Sequence, residues 1–172
     1  MPLLKTTFEN LGFTNVVTYI NSGNVIFTDD SNTVDQLVKK IEKAIQEDFG
    51  FTVSVIVKSY DDVLRINNTV PASWANDAQQ KTDVMFLWSD IDTPQILQQV
   101  ACDPSKETLL YCDGALLWNV ARENITKGAV IKLVKSDVYK KMTIRNINTV
   151  RKITELMAEA DRSGIVIAGA LQ

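Results

Sequence analysis

Positive charge gathers in one stretch of this sequence, and the polar residues within it have the chemistry to hold an anion. Between Lys127 and Lys152 stand Lys127, Lys132, Lys135, Lys140, Lys141, Arg145, Arg151 and Lys152, opposed by Asp137 alone. Arg145 sits just before an expected helix N-terminus, where a cation is disfavoured by about 0.3–1 kcal/mol. Cations at that end make sense if an anion binds there. Thr143, Asn146 and Thr149 would add hydroxyl and amide hydrogen bonds to the same group. The plainer alternative is a set of solvated lysines, with Thr143 or Asn146 capping the helix and Arg145 paired to a carboxylate.

A second polar cluster is the turn Asn21-Ser22-Gly23-Asn24, whose backbone N–H groups could also face a ligand; such sequences are also simply good turns. Acid–base chemistry has few candidates. The chain contains no histidine, which excludes within it a Ser-His-Asp triad, a Cys-His pair and a His-based metal site. Cys102 and Cys112 lack the number and spacing of a zinc site or disulfide framework, and read as small packing residues. Asp77 and Asp83 are the carboxylates that remain as possible bases. Tyr19, Phe27, Tyr111 and Trp118 either stack bases on an open sheet face or fill a core. There is no GxGxxG or GxxxxGK[ST] phosphate loop. Neither a metal nor a cofactor is expected.

The elements that must position these residues alternate between helix and strand. Leu3, Leu4, Phe8 and Leu11 have helical spacing before Gly12. Val16–Ile20 and Asn24–Thr28 read as a hairpin. A helix capped by Ser31 or Asn32 follows, with Val34, Leu37, Val38, Ile41, Ile45 and Phe49 as its apolar stripe. Thr52–Val57 reads as a strand, and Ser59 with Asp62 opens a brief helix through Leu64. Pro71–Asp77 is a loop in which Trp74 serves as an anchor between modules. The pattern then restarts: strand Asp83–Trp88, helix Thr93–Val100, a hairpin through Asp113-Gly114, a helix near Ile125–Val134, and a last helix from about Asn146 to Ala160, with Ile147, Val150, Ile153 and Met157 facing inward.

The halves rhyme, Gly23-Asn24-Val25-Ile26-Phe27 against Gly114-Ala115-Leu116-Leu117-Trp118. The second module opens with a strand and the first opens with a helix. That difference leaves a slot in the first sheet, and the expectation is that an N-terminal strand is missing. Restored, the first half reads β-α-β-β-α-β, a ferredoxin-like order. The expected organisation is a truncated N-terminal subdomain over 1–58, a connecting region over 59–81, a C-terminal subdomain with basic helices over 82–160, and a tail over 161–172.

The segment Thr18-Tyr19-Ile20-Asn21-Ser22-Gly23-Asn24-Val25-Ile26-Phe27 resembles the hallmark of a bacterial family catalogued as domain-of-unknown-function family 1697. So do Thr143-Ile144-Arg145-Asn146 with Thr149, and Pro71-Ala72-Ser73-Trp74 with Asp77 and the strand Asp83–Leu87. The family's first motif, a strand ending in an Arg-Gly-Ile-Asn-Val-Gly-Gly loop, is absent, in keeping with the expected missing strand. The resemblance implies an α+β fold of two ferredoxin-like subdomains, each with a strand–turn–strand hairpin between helices. It implies no activity.

The 172 residues suit one large core or two small ones. A net charge of -3 gives no global pull toward nucleic acid or membrane. No apolar run is long enough for a membrane span, no signal peptide is visible, and the cysteine usage fits a reducing cytoplasm. The leading expectation is a binding module for an anion: a nucleotide, a phosphorylated metabolite or RNA. One alternative is a small-molecule enzyme using carboxylate chemistry. The other is a protein-interaction scaffold, whose open sheet slot recruits a strand from another chain. The sequence does not set the oligomeric state.

Overall fold

The computed structural model describes residues 2–19, 23–134, 136–160 and 164–169, the last six by their backbone. The chain divides into two units, residues 1–63 with 152–172, and residues 64–151. Each contains a four-stranded antiparallel sheet with helices, an α+β architecture.

The first unit opens with α1 (Pro2–Asn10), β1 (Thr14–Tyr19), β2 (Asn24–Thr28), α2 (Val34–Phe49) and β3 (Val55–Ser59). Leu4 and Phe8 of α1 and Leu37, Ile41 and Ile45 of α2 join Val16, Val25, Phe27, Val55 and Val57 of the strands in one core. Three rings lock it, with Phe13 stacked on Phe27 at 4.3 Å between centroids and Phe8 edge-on to both. Val34 was expected on the inner stripe of α2 but is half exposed. Asp29 explains why that helix starts later than Ser31 or Asn32. Its Oδ2 accepts from the N–H groups of Ser31 and Asn32, which closes a turn and passes the cap to Thr33. Thr33 and Gln36 then form a reciprocal capping box.

The position between β2 and β3 is filled. The segment expected as a tail supplies β8 (Gly164–Gly169), and the sheet order is β1-β2-β8-β3. β8 runs antiparallel to both neighbours, Ile167 lying opposite Val25 on one side and Val57 on the other. The physical reason is the slot itself. Two facing rows of unpaired N–H and C=O groups are costly inside a fold, and a strand laid between them satisfies both.

α3 (Tyr60–Thr69) begins in the first unit and continues into the second from Leu64. Ser59 and Asp62 cap each other reciprocally. The helix runs past the expected Leu64 to Thr69, and Ile66 is fully buried. Then come β4 (Gln80–Leu87), β5 (Glu107–Cys112), β6 (Ala115–Ala121), α4 (Ala129–Leu133), β7 (Met142–Asn146) and α5 (Ile147–Glu159), whose residues from Lys152 onward belong to the first unit. The sheet order is β5-β6-β4-β7. The expected helices at Thr93–Val100 and Ile125–Val134 are shorter. The first is a 3-10 turn over Pro94–Gln99, and the second breaks at Gly128 into a 3-10 turn (Arg122–Lys127) and α4. With a further 3-10 turn at Asp137–Lys141, these pieces form one layer. Ile96, Ile125, Val130, Leu133 and Val138 all join the core on the same sheet face as Met85, Leu116 and Trp118. The inward residues of α5, namely Ile147, Val150, Ile153 and Met157, are buried as their spacing requires.

Candidate functional site

Thr143, Arg145 and Asn146 lie on a strand, β7, that ends just before the helix. β7 pairs with β4, setting Arg145 opposite Val84 and Asn146 opposite Asp83, and the chain passes from Asn146 directly into α5. Arg145 is buried, donating to Thr143 Oγ1 at 2.9 Å and to the Ile144 carbonyl at 2.8 Å. Burial disfavours its charged form and lowers its pKa from the ordinary value. Asn146 Oδ1 accepts from the Thr149 N–H at 3.0 Å, an N-cap bond that satisfies one of the helix's orphan donors. Thr143 and Thr149 are buried as well. The bonds join two pairs, Arg145 with Thr143 and Asn146 with Thr149, and order the strand-to-helix passage.

Of the turn in the first unit, Asn21 and Ser22 lie outside the described residues. Gly23 has φ 77°, the left-handed backbone its place in the turn requires. Asn24 is buried and donates from Nδ2 to the Tyr19 carbonyl at 3.1 Å.

The remaining described cations of the 127–152 stretch divide by partner, Lys135 lying outside the described residues. Lys140 pairs with Asp137, Lys141 with Asp90 and Lys152 with Glu155, all as exposed pairs that contribute little, about 0–1 kcal/mol each. Lys127 and Lys132 are exposed and form no ion pair among the described residues. Lys127, Lys132, Lys140 and Lys141 are exposed on the 3-10 turns and α4, whose apolar residues join one core. Ile131 and Val134 stand among them, each about half exposed at 49% and 48%.

Arg151 has a separate task, in a motif whose role sequence reading does not reveal. Five consecutive carbonyls of the 73–77 loop each receive a side-chain donor. Gln80 reaches Ser73 (3.1 Å), Arg151 reaches Trp74 (3.1 Å), Thr82 reaches Ala75 (2.7 Å), Asn148 reaches Asn76 (3.0 Å) and Arg122 reaches Asp77 (2.8 Å). No local pattern announces this arrangement, since the donors come from β4, the turn after β6 and α5.

The two candidate bases differ. Asp77 is exposed and its Oδ1 accepts from the N–H groups of Gln79 and Gln80, which hold its carboxyl below the usual range. A carboxylate so stabilised is a poor base. Asp83 is buried beside Lys81 at 2.9 Å, and burial pushes its carboxyl up against the pull of that lysine. Lys81 also lies over the Trp118 ring, 5.6 Å from its centroid. A third carboxylate, Glu107, is buried and accepts from Trp118 Nε1 at 2.6 Å and from the N–H groups of Asp103 and Ala129. Its bonds tie β5 and β6 to the start of α4. Gly128 makes the close approach possible, because a Cβ there would stand 2.8 Å from the Trp118 ring.

Phe27 and Trp118 are core residues, not members of an open stacking face. Tyr111 bonds through its hydroxyl to Asp92, and burial followed by that bond pushes its pKa up to about 12. Cys102 is partly buried and Cys112 buried, both as free thiols. Among the described residues no group of three or more His, Cys, Asp or Glu could hold a metal ion, and no helix is long and apolar enough to cross a membrane.

Residues 1–118 match a family described as a protein of unknown function, DUF1697. The chain belongs to this family. Its structure is similar to that of the conserved bacterial protein SP0830 from Streptococcus pneumoniae, with a TM-score of 0.74 and 28% identity over 91% of this chain and 88% of that one. No curated protein matches the chain. In this DUF1697 protein the middle motif, Pro71–Trp74 with Asp77, coincides with the loop whose carbonyls are held, and Thr143–Thr149 with the strand-to-helix passage.

Proposed function

We propose that this DUF1697 protein is a non-enzymatic binding module that takes an extended polyanion, such as single-stranded RNA, on the basic outer layer of its second unit. The observation that supports this reading is the exposure of Lys127 and Lys132, which form no ion pair among the described residues, in the unit where Lys140 and Lys141 are held only by weak surface pairs. Small-molecule sites are concave, and a lysine-bearing outer layer of short helices suits a long polyanion better than a single phosphate. A reaction centre has less behind it, since Asp77 is committed to backbone N–H groups and Asp83 is closed in beside Lys81.

Thermal shift and fluorescence anisotropy with inorganic phosphate, ATP and a 12-nucleotide oligo-uridine RNA test the reading. A ligand at about 100 times its Kd stabilises a fold by about 2.7 kcal/mol. The RNA should bind, and phosphate should not. Lys127→Glu with Lys132→Glu should weaken RNA binding by at least about tenfold and flatten its salt dependence. RNA affinity unchanged in the double variant, or no binding at about 50 mM salt, would refute the reading.

A further inference from the structure

An open groove of about 460 Å³ lies at β1, an outer strand of the first sheet. β1 pairs with β2 on one side, so alternate backbone groups on its other side have no strand partner among the described residues. A bulge between Thr14 and Val17, with Asn15 at φ 51°, kinks the start of the strand and leaves Val17–Tyr19 as its regular part. Val17, Leu156 and Ala160 give the groove an apolar lining, and Val17 is 39% exposed. Lys5, Glu9 and Glu159 supply its charge. Lys5 lies 3.7 Å from Glu9, while Glu159 has no ion pair among the described residues.

These features together call for one kind of occupant. The outer edge of β1 offers main-chain hydrogen bonds to an extended chain, the apolar lining offers burial, and exposed Glu159, which Lys152 meets only as a longer-range charge, favours positive charge. We propose that the groove docks an extended basic peptide segment of a partner protein, which adds to β1 as a further strand, rests apolar side chains on Val17 and Leu156, and turns Lys or Arg toward Glu9 and Glu159. Two copies meeting through this edge would bring like-charged rims together, which disfavours a second copy as the occupant.

The probe is an acetylated, amidated hexapeptide, Lys-Val-Lys-Val-Lys-Val, labelled with fluorescein and titrated with the full chain. Its Glu-for-Lys counterpart and a version N-methylated at alternate residues accompany it. The basic peptide should bind at least about tenfold more tightly than either, and amide exchange within Val17–Tyr19 should slow when it binds. Glu159→Lys, an exposed change, should weaken binding by about fivefold or more, and Val17→Lys should do the same. Equal binding of the N-methylated peptide would overturn strand addition. Equal binding of the acidic peptide would overturn the charge assignment. Absence of saturable binding up to about 1 mM would overturn the site. Concentration-dependent dimerisation that protects the same amides without peptide would give the edge to a second copy.

Discussion

The two sheets of this protein match position for position, and differ in how one position is supplied. β1 corresponds to β5, β2 to β6 and β3 to β7; in the third place of the order, β8 corresponds to β4. β4 precedes the strands it joins and runs antiparallel to β6 and β7. β8 follows α5 and runs antiparallel to β2 and β3. The backbone geometry demanded by the sheet is the same in both units. What the comparison teaches is that a central sheet position is defined by the two edges that flank it. Where in the sequence the strand comes from is secondary, provided the chain can reach.

The sharpest way to break this correspondence is proline in each central strand. Ile167→Pro in β8 and Val84→Pro in β4 each remove a ladder donor from a strand paired on both sides. Each should destabilise its own unit by several kcal/mol and leave amide-exchange protection in the other largely intact. Collapse of both units together by either variant would show that they do not fold separately.

The matched hairpin aromatics come next. Phe27→Ala should cost about 3–5 kcal/mol through the cavity it leaves among Phe8 and Phe13. Trp118→Leu should lose less volume but strand one bond of buried Glu107, so urea midpoints should show a comparable loss. Gly128→Ala, which has no counterpart in the first unit, should cost about 1–3 kcal/mol by forcing its Cβ against Trp118 and Glu107.

The smallest effect concerns Asp83. Its folded pKa is raised above the unfolded value by burial. Its ionisation therefore opposes folding, and stability falls as pH rises from the unfolded value of 3.8 through the folded one. Asp83→Asn should leave stability at neutral pH unchanged or raise it by up to about 1 kcal/mol, and should remove that part of the pH dependence. Urea melts at pH 4 and pH 7 measure it.

Local signals carried much of the fold into view. Asp113-Gly114 marks its hairpin, with Gly114 at φ 90°, and the stripe Ile147, Val150, Ile153, Met157 marks α5. β8 was hidden because strand pairing is a long-range event. Gly164-Ile165-Val166-Ile167 has the β-branched composition of a strand, but nothing local says that it belongs between Val25 and Val57. β7 was hidden by its shortness and its direct passage into a helix. For the candidate site, the charge of the 127–152 stretch was legible and its distribution was not. Which lysines share a layer depends on the core beneath them, and Arg151 serves a loop some 77 residues earlier in sequence.

The place of β8 also orders events in time. As the chain is made, the second unit holds all its strands once residue 146 has appeared. The first unit has β1, β2 and β3 by residue 59, yet its centre stays open until residue 169 exists. Synthesis proceeds at about 5–20 residues per second, so this interval lasts seconds, longer than most small domains need to fold. The sheet begun first is thus the sheet closed last.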